Sequence, residues 1–242
     1  RIQASPSSGR GLQISGQPRI SRLTLEADTE LHLGNQLSVD EVVEAQSIEL
    51  TLNASGTLDA GLLLDNATLR ISDQPTLAGL LIPQGGSTLR LASQSVLNTH
   101  QALSLGAETL RLEGPGKLNN AQVFTLDDPI SLLSVEGSLE VQGDLALSGG
   151  TLDVKGTTFL SGRLSLNDNS TISVDDNVSL EYSGSSLSLG ANGLRLTGGG
   201  KLDSVNPILL DDLRNGADSS FPNWDNQSNL KQVTAEMLRV LD

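Results

Sequence analysis

Thr68-Leu69-Arg70-Ile71, Thr88-Leu89-Arg90-Leu91 and Thr109-Leu110-Arg111-Leu112 are three copies of one phrase within residues 62–112. They recur at about 20 residues, an interval at which a repeat architecture takes precedence over any element-by-element reading. In each copy a polar residue stands between two aliphatic ones. On a β-strand this alternation turns the aliphatic pair to one side and the Arg to the other.

The same column continues outside the opening stretch. It runs through Leu31-His32-Leu33 and Leu50-Thr51-Leu52 on one side, and Leu152-Asp153-Val154, Ile172-Ser173-Val174 and Leu194-Arg195-Leu196 on the other. Between Leu110 and Leu152 two units must fit, the inner one near Ile130 to Val135 being the least regular. A second column precedes the first: Leu62-Leu63-Leu64, Leu80-Leu81-Ile82, Ala102 to Leu105, Leu145-Ala146-Leu147, Leu164-Ser165-Leu166 and Leu187-Ser188-Leu189. A third follows it at Thr57-Leu58, Thr76-Leu77, Lys117-Leu118, Phe159-Leu160 and Lys201-Leu202.

Three short strands per unit, closed into separate hairpins, would bury little. Stacked as coils of a solenoid, each strand pairs with its equivalent about 4.8 Å away and the leucines form one continuous column. The reading is therefore all-β: a parallel β-helix of about nine or ten coils of roughly 20 residues. Variable unit length, about 18 to 23 residues, fits a right-handed form with elastic turns better than a strict hexapeptide form. A Greek-key sandwich is the structural alternative.

Composition agrees with thin layers. Of 242 residues, 37% are hydrophobic but only 2% aromatic, with 25 Gly and no Cys, so the core must be aliphatic, and thiolate chemistry and disulfides are excluded. A net charge of −14 argues against nucleic acid and anionic membranes as partners. No stretch approaches the ~20 apolar residues of a spanning helix. The opening at Arg1, with no signal-like apolar region, suggests a processed chain or a piece of a longer one.

Three regions follow. Residues 1–21, rich in Ser, Gly, Pro and Arg with a strand-like island at Leu12-Gln13-Ile14, read as a lead-in or N-terminal cap. Residues 22–210 are the β-helix. Residues 211–242 form a polar linker with Phe221 and Trp224, then Leu230, Val233, Met237 and Leu241 at helical spacing after a capping-box start at Asn229 and Gln232. This short amphipathic helix is expected to plug the open solenoid end or to dock on a neighbouring subunit.

Arg70, Arg90 and Arg111 form the sharpest surface feature, an outward ladder fit to bind an anionic glycan or the carboxylates of a partner. The alternative is a polar covering balanced by nearby Asp and Glu. The doublets Asp127-Asp128, Asp175-Asp176 and Asp211-Asp212, with Asp168, invite a calcium reading, but match no calcium-loop motif and read as solvated turns. No metal or cofactor is therefore expected. His32 and His100 are not placed to meet, and no nucleophile elbow or phosphate loop occurs. Thr68, Thr88 and Thr109 align, but Arg stands where an ice-binding array needs a second Thr.

Leu112-Glu113-Gly114-Pro115-Gly116-Lys117-Leu118, Leu196 to Leu202 and Val141 to Leu152 resemble the glycine-punctuated coils of bacterial surface β-helices. These are filamentous-haemagglutinin-type adhesins and autotransporter passengers. The resemblance, over residues 22–210, implies a secreted or cell-surface protein and transfers no binding residues. The expected function is non-enzymatic: a rigid stalk or adhesin, or a filament subunit assembling end to end, with a glycan or host-surface ligand as partner. A polysaccharide lyase, hydrolase or glycan-binding module built on the same fold is the alternative.

Overall fold

The computed structural model describes residues 11–25, 27–166, 169–184 and 197–204, together with the backbone of Ile2–Ala4, Asn167, Leu187–Leu189, residues 195–196 and Ile208–Leu210. The chain is a parallel β-solenoid. Each coil contributes three short strands to three walls, here named leading, central and trailing in chain order. The central and trailing walls are unbroken ladders of ten strands, so nine steps separate the first coil from the tenth.

Sequence dictates this stacking through alternation. Leu62, Leu64, Leu69, Ile71 and Leu77 of the fourth coil point inward and are fully buried, whereas Leu63, Thr68, Arg70 and Thr76 between them point outward. The Leu, Ile and Val residues of successive coils join one core running the length of the solenoid. In-register stacking of identical aliphatic side chains fills a narrow interior without large aromatic residues; only Phe124 and Tyr182 enter it among the described residues.

Residues 1–21 do more than lead in. Ile2–Ala4, Leu12–Ile14 and Arg19–Ile20 pair in parallel with Leu23–Leu25, Thr29–Leu33 and Gln36–Val39 as a first coil. The irregular unit near Ile130 supplies the strand Leu132–Glu136, seated between Thr109–Glu113 and Thr151–Val154. The helical reading of Leu230, Val233, Met237 and Leu241, with Phe221 and Trp224, lies outside the described residues.

Coils range from 19 residues, Leu12 to Leu31, to 24, Ile172 to Leu196. The corners absorb the difference. Ser87, Ser95 and Ser131 are buried there, and each hydroxyl donates to the carbonyl three residues back, on Gln84, Ala92 and Asp128. Such side-chain bonds replace the backbone ladder where the chain turns. Gly114 takes a φ of +95°, and a Cβ there would run into the carbonyl of Leu91 in the preceding coil.

The leading wall is cut once. Its first five strands end at Leu81–Gln84, and a separate six-stranded ladder begins at Leu103–Ser104. Leu62 N–H donates to Leu80 C=O and Asn66 N–H to Gln84 C=O, so the groups of residues 80, 82 and 84 face the previous coil. Those of 81 and 83 therefore face the next one. Pro83 has no N–H to offer there, which is why proline suits the last strand of a ladder. Beyond it Gly85 N–H is taken by Glu108 Oε2 at 3.0 Å.

Candidate functional surface

Arg70, Arg90 and Arg111 do project outward from the central wall on three consecutive coils, but their alignment differs from the simple repeat. Arg70 lies opposite Arg90. Arg111 is shifted by two residues and faces Thr88, so that Glu113 stands opposite Arg90. Both registers keep the leucines inward, because a shift of two preserves the face of every side chain. The observed register sets Arg90 against Glu113, which attracts it, where the simple repeat would set it against Arg111. Similar two-residue offsets place Leu31 opposite Leu52 and Ile172 opposite Leu196.

The outcome is an alternating ion-pair ladder. Glu49 sits between Arg70 at 3.8 Å and Arg90 at 3.5 Å, and Arg90 reaches Glu113 at 2.9 Å. Arg111 lies 4.0 Å from Glu113 and 3.3 Å from Glu136, and Lys155 closes the run with Glu136 at 3.6 Å and Asp153 at 3.2 Å. The hydrogen bond to Asp153 holds the Lys155 ammonium above its ordinary value, against the desolvation that lowers it. Each guanidinium is thus already matched by carboxylates. The balanced outer covering describes this face better than an open anion site does.

Glu49, Glu113, Glu136, Asp153 and Lys155 did not stand out in the sequence. A signal was present: Leu110-Arg111-Leu112-Glu113 extends the phrase by one acidic residue, and Glu136 recurs 23 residues after Glu113. That spacing equals the offset between Arg90 and Glu113 and marks two longer coils in succession.

In one of the candidate calcium doublets both carboxylates are occupied as hydrogen-bond acceptors. Asp127 accepts from Ser104 Oγ and Gly106 N–H, and Asp128 accepts from Ile130 N–H. Asp168, Asp211 and Asp212 lie outside the described residues. Among the described residues no three His, Asp or Glu side chains gather in a way that could hold a metal ion. His32 belongs to the central wall, whereas His100 follows the trailing-wall strand Val96–Thr99.

The trailing wall has a different character. Gln36, Thr57, Thr76, Asn98, Asn119 and Gln142 occupy one outward column, each in register with the next. Asn119 Nδ2 donates to Asn98 Oδ1 at 2.8 Å. One column over, Lys117, Glu140, Phe159, Glu181 and Asp203 follow one another, with Lys117 and Glu140 paired at 2.7 Å. Phe159 is 42% exposed, the aromatic side chain turned outward among the described residues.

No protein family, curated protein or solved structure matches this chain.

Proposed function

We propose that the chain is a non-enzymatic, extracellular structural element: a rigid β-solenoid stalk or adhesin that assembles end to end. The observation carrying this reading is the unbroken pair of ten-stranded walls around one aliphatic core. Nine steps of about 4.8 Å give a rod roughly 43 Å long. Its central face spends carboxylates and guanidiniums on one another, which leaves them poorly placed for acid–base work on a substrate. The likeness to bacterial surface β-helices supports an extracellular setting.

Strand edges at the end of a solenoid are templates for pairing with another chain. End-to-end contact would extend the walls and the core together. Sedimentation over a wide concentration range with negative-stain imaging tests this. Concentration-dependent growth of particles along one axis is expected. A monomer at every concentration, with residues 211–242 folded over the end as a cap, would sink the assembly reading.

A further inference from the structure

We propose that the outward face of the trailing wall binds an unbranched, uncharged polysaccharide laid along the solenoid axis. This rests on the adhesive version of the reading above and is independent of end-to-end assembly. The column Gln36, Thr57, Thr76, Asn98, Asn119, Gln142 presents a hydroxyl or a carboxamide on each of six consecutive coils. Each such group both donates and accepts, and they recur at about 4.8 Å. No member of the column is charged, in a chain with 44 charged residues by the count of Lys, Arg, Asp and Glu.

A partner that meets such an array must itself repeat along one direction, offer hydroxyls that donate and accept, and carry no charge. A linear chain of neutral sugars meets all three requirements. Phe159 supplies what the amides lack. It stands one coil beyond Gln142 in the adjacent column, on a strand whose neighbours Thr158 and Leu160 are buried while its ring is left in solvent. An aromatic face of this kind stacks on the C–H side of a sugar ring.

Charge sets the class. Glu140 and Glu181 lie in register on either side of Phe159, Asp59 stands beside Gln36 at 3.0 Å, and the whole chain is acidic. Polyanionic glycans are repelled from such a surface. Arg70, Arg90 and Arg111 lie on the central wall and are already paired, and on the trailing wall Arg19 is taken by Asp40 at 2.8 Å and Lys117 by Glu140 at 2.7 Å.

Affinity electrophoresis of the full chain through gels containing pullulan or mixed-linkage β-glucan, both soluble, neutral and unbranched, or heparin tests the proposal. Retardation by a neutral polysaccharide and none by heparin is expected. Isothermal titration with a linear hexasaccharide of the retarding polymer should show Phe159→Thr and the pair Asn98→Ala/Asn119→Ala each binding about ten-fold more weakly. Arg90→Ser, on the central wall, should bind as the parent does. Thermal melts of each variant report folding, and the Phe159 change touches no core position. Absence of retardation in both neutral gels overturns the proposal, as does retention by heparin alone or binding unchanged in both trailing-wall variants. If those variants instead abolish self-association, the face is a contact between copies and the glycan assignment falls. Sedimentation of the same variants reads end-to-end assembly separately.

Discussion

Replacing Leu110 by Asp tests the assignment of inner and outer faces most directly. Leu110 is fully buried in the sixth coil, between Ser87 of the coil before and Leu133 of the coil after. Truncation of such a leucine to Ala costs about 2–5 kcal/mol, because the cavity cannot close. A carboxylate at that position adds several kcal/mol of desolvation, since no cation is buried among the described core residues. The sum is comparable to the whole stability of a domain, about 5–15 kcal/mol. Coils support only their neighbours, so the sixth coil should open and release the fifth and seventh.

Arg90→Ser is the counterpart on the opposite face of the same wall. The Arg90 side chain is 44% exposed and bridges Glu49 and Glu113. Loss of exposed pairs costs about 0–1 kcal/mol each, so a small destabilisation is expected as two carboxylates are left facing each other. Urea unfolding followed by circular dichroism, with Leu110→Ala as an intermediate, should rank the variants Asp, Ala, Ser from most to least damaging. A smaller loss for Leu110→Asp than for Arg90→Ser would refute the inward assignment of the leucines.

Three further outcomes are expected. Thr99 and Asn120 are buried core-facing neighbours in consecutive coils, Thr99 Oγ1 donating to Asn120 Oδ1 at 2.6 Å while Asn120 Nδ2 has no partner, so Thr99→Val with Asn120→Leu should raise the melting temperature. Lys155 should titrate above 10.5 by nuclear magnetic resonance; because its folded value is raised, its small stabilising share is full below that pH and lost as pH rises through the folded value, and Asp153→Asn should reduce the shift. Hydrogen–deuterium exchange should find Leu81 N–H, which faces the cut in the leading wall, exchanging faster than Leu62 N–H, which is bonded to Leu80.

Most of the fold was legible because period and alternation are properties of composition along the chain. The leucine columns named the walls, and Leu164-Ser165-Leu166 or Thr57-Leu58 fell on the strands observed. Exact register was not legible. Shifting Thr109-Leu110-Arg111-Leu112 by two residues leaves every leucine inward, so hydrophobic pattern is silent between the alternatives. Which charge meets which across about 4.8 Å depends on corner lengths, and no local pattern specifies those. The Arg ladder is therefore legible as three residues, and its acidic partners are not. Pro83 could have been read: a proline within a stacked strand removes one bond from the ladder and marks an edge.

The cut at Pro83 also has a mechanical meaning. A tube with continuous walls resists twisting because shear passes around its whole circumference. Between the fifth and sixth coils one wall of three has no backbone ladder to carry that shear, since Leu81–Gln84 and Leu103–Ser104 belong to separate ladders. The central wall still resists stretching there, bridged by Arg90 and Glu113 across that same step. Torsion applied to the ends of the rod should thus concentrate at this step, which divides the solenoid into two stiff blocks joined by a torsionally soft collar.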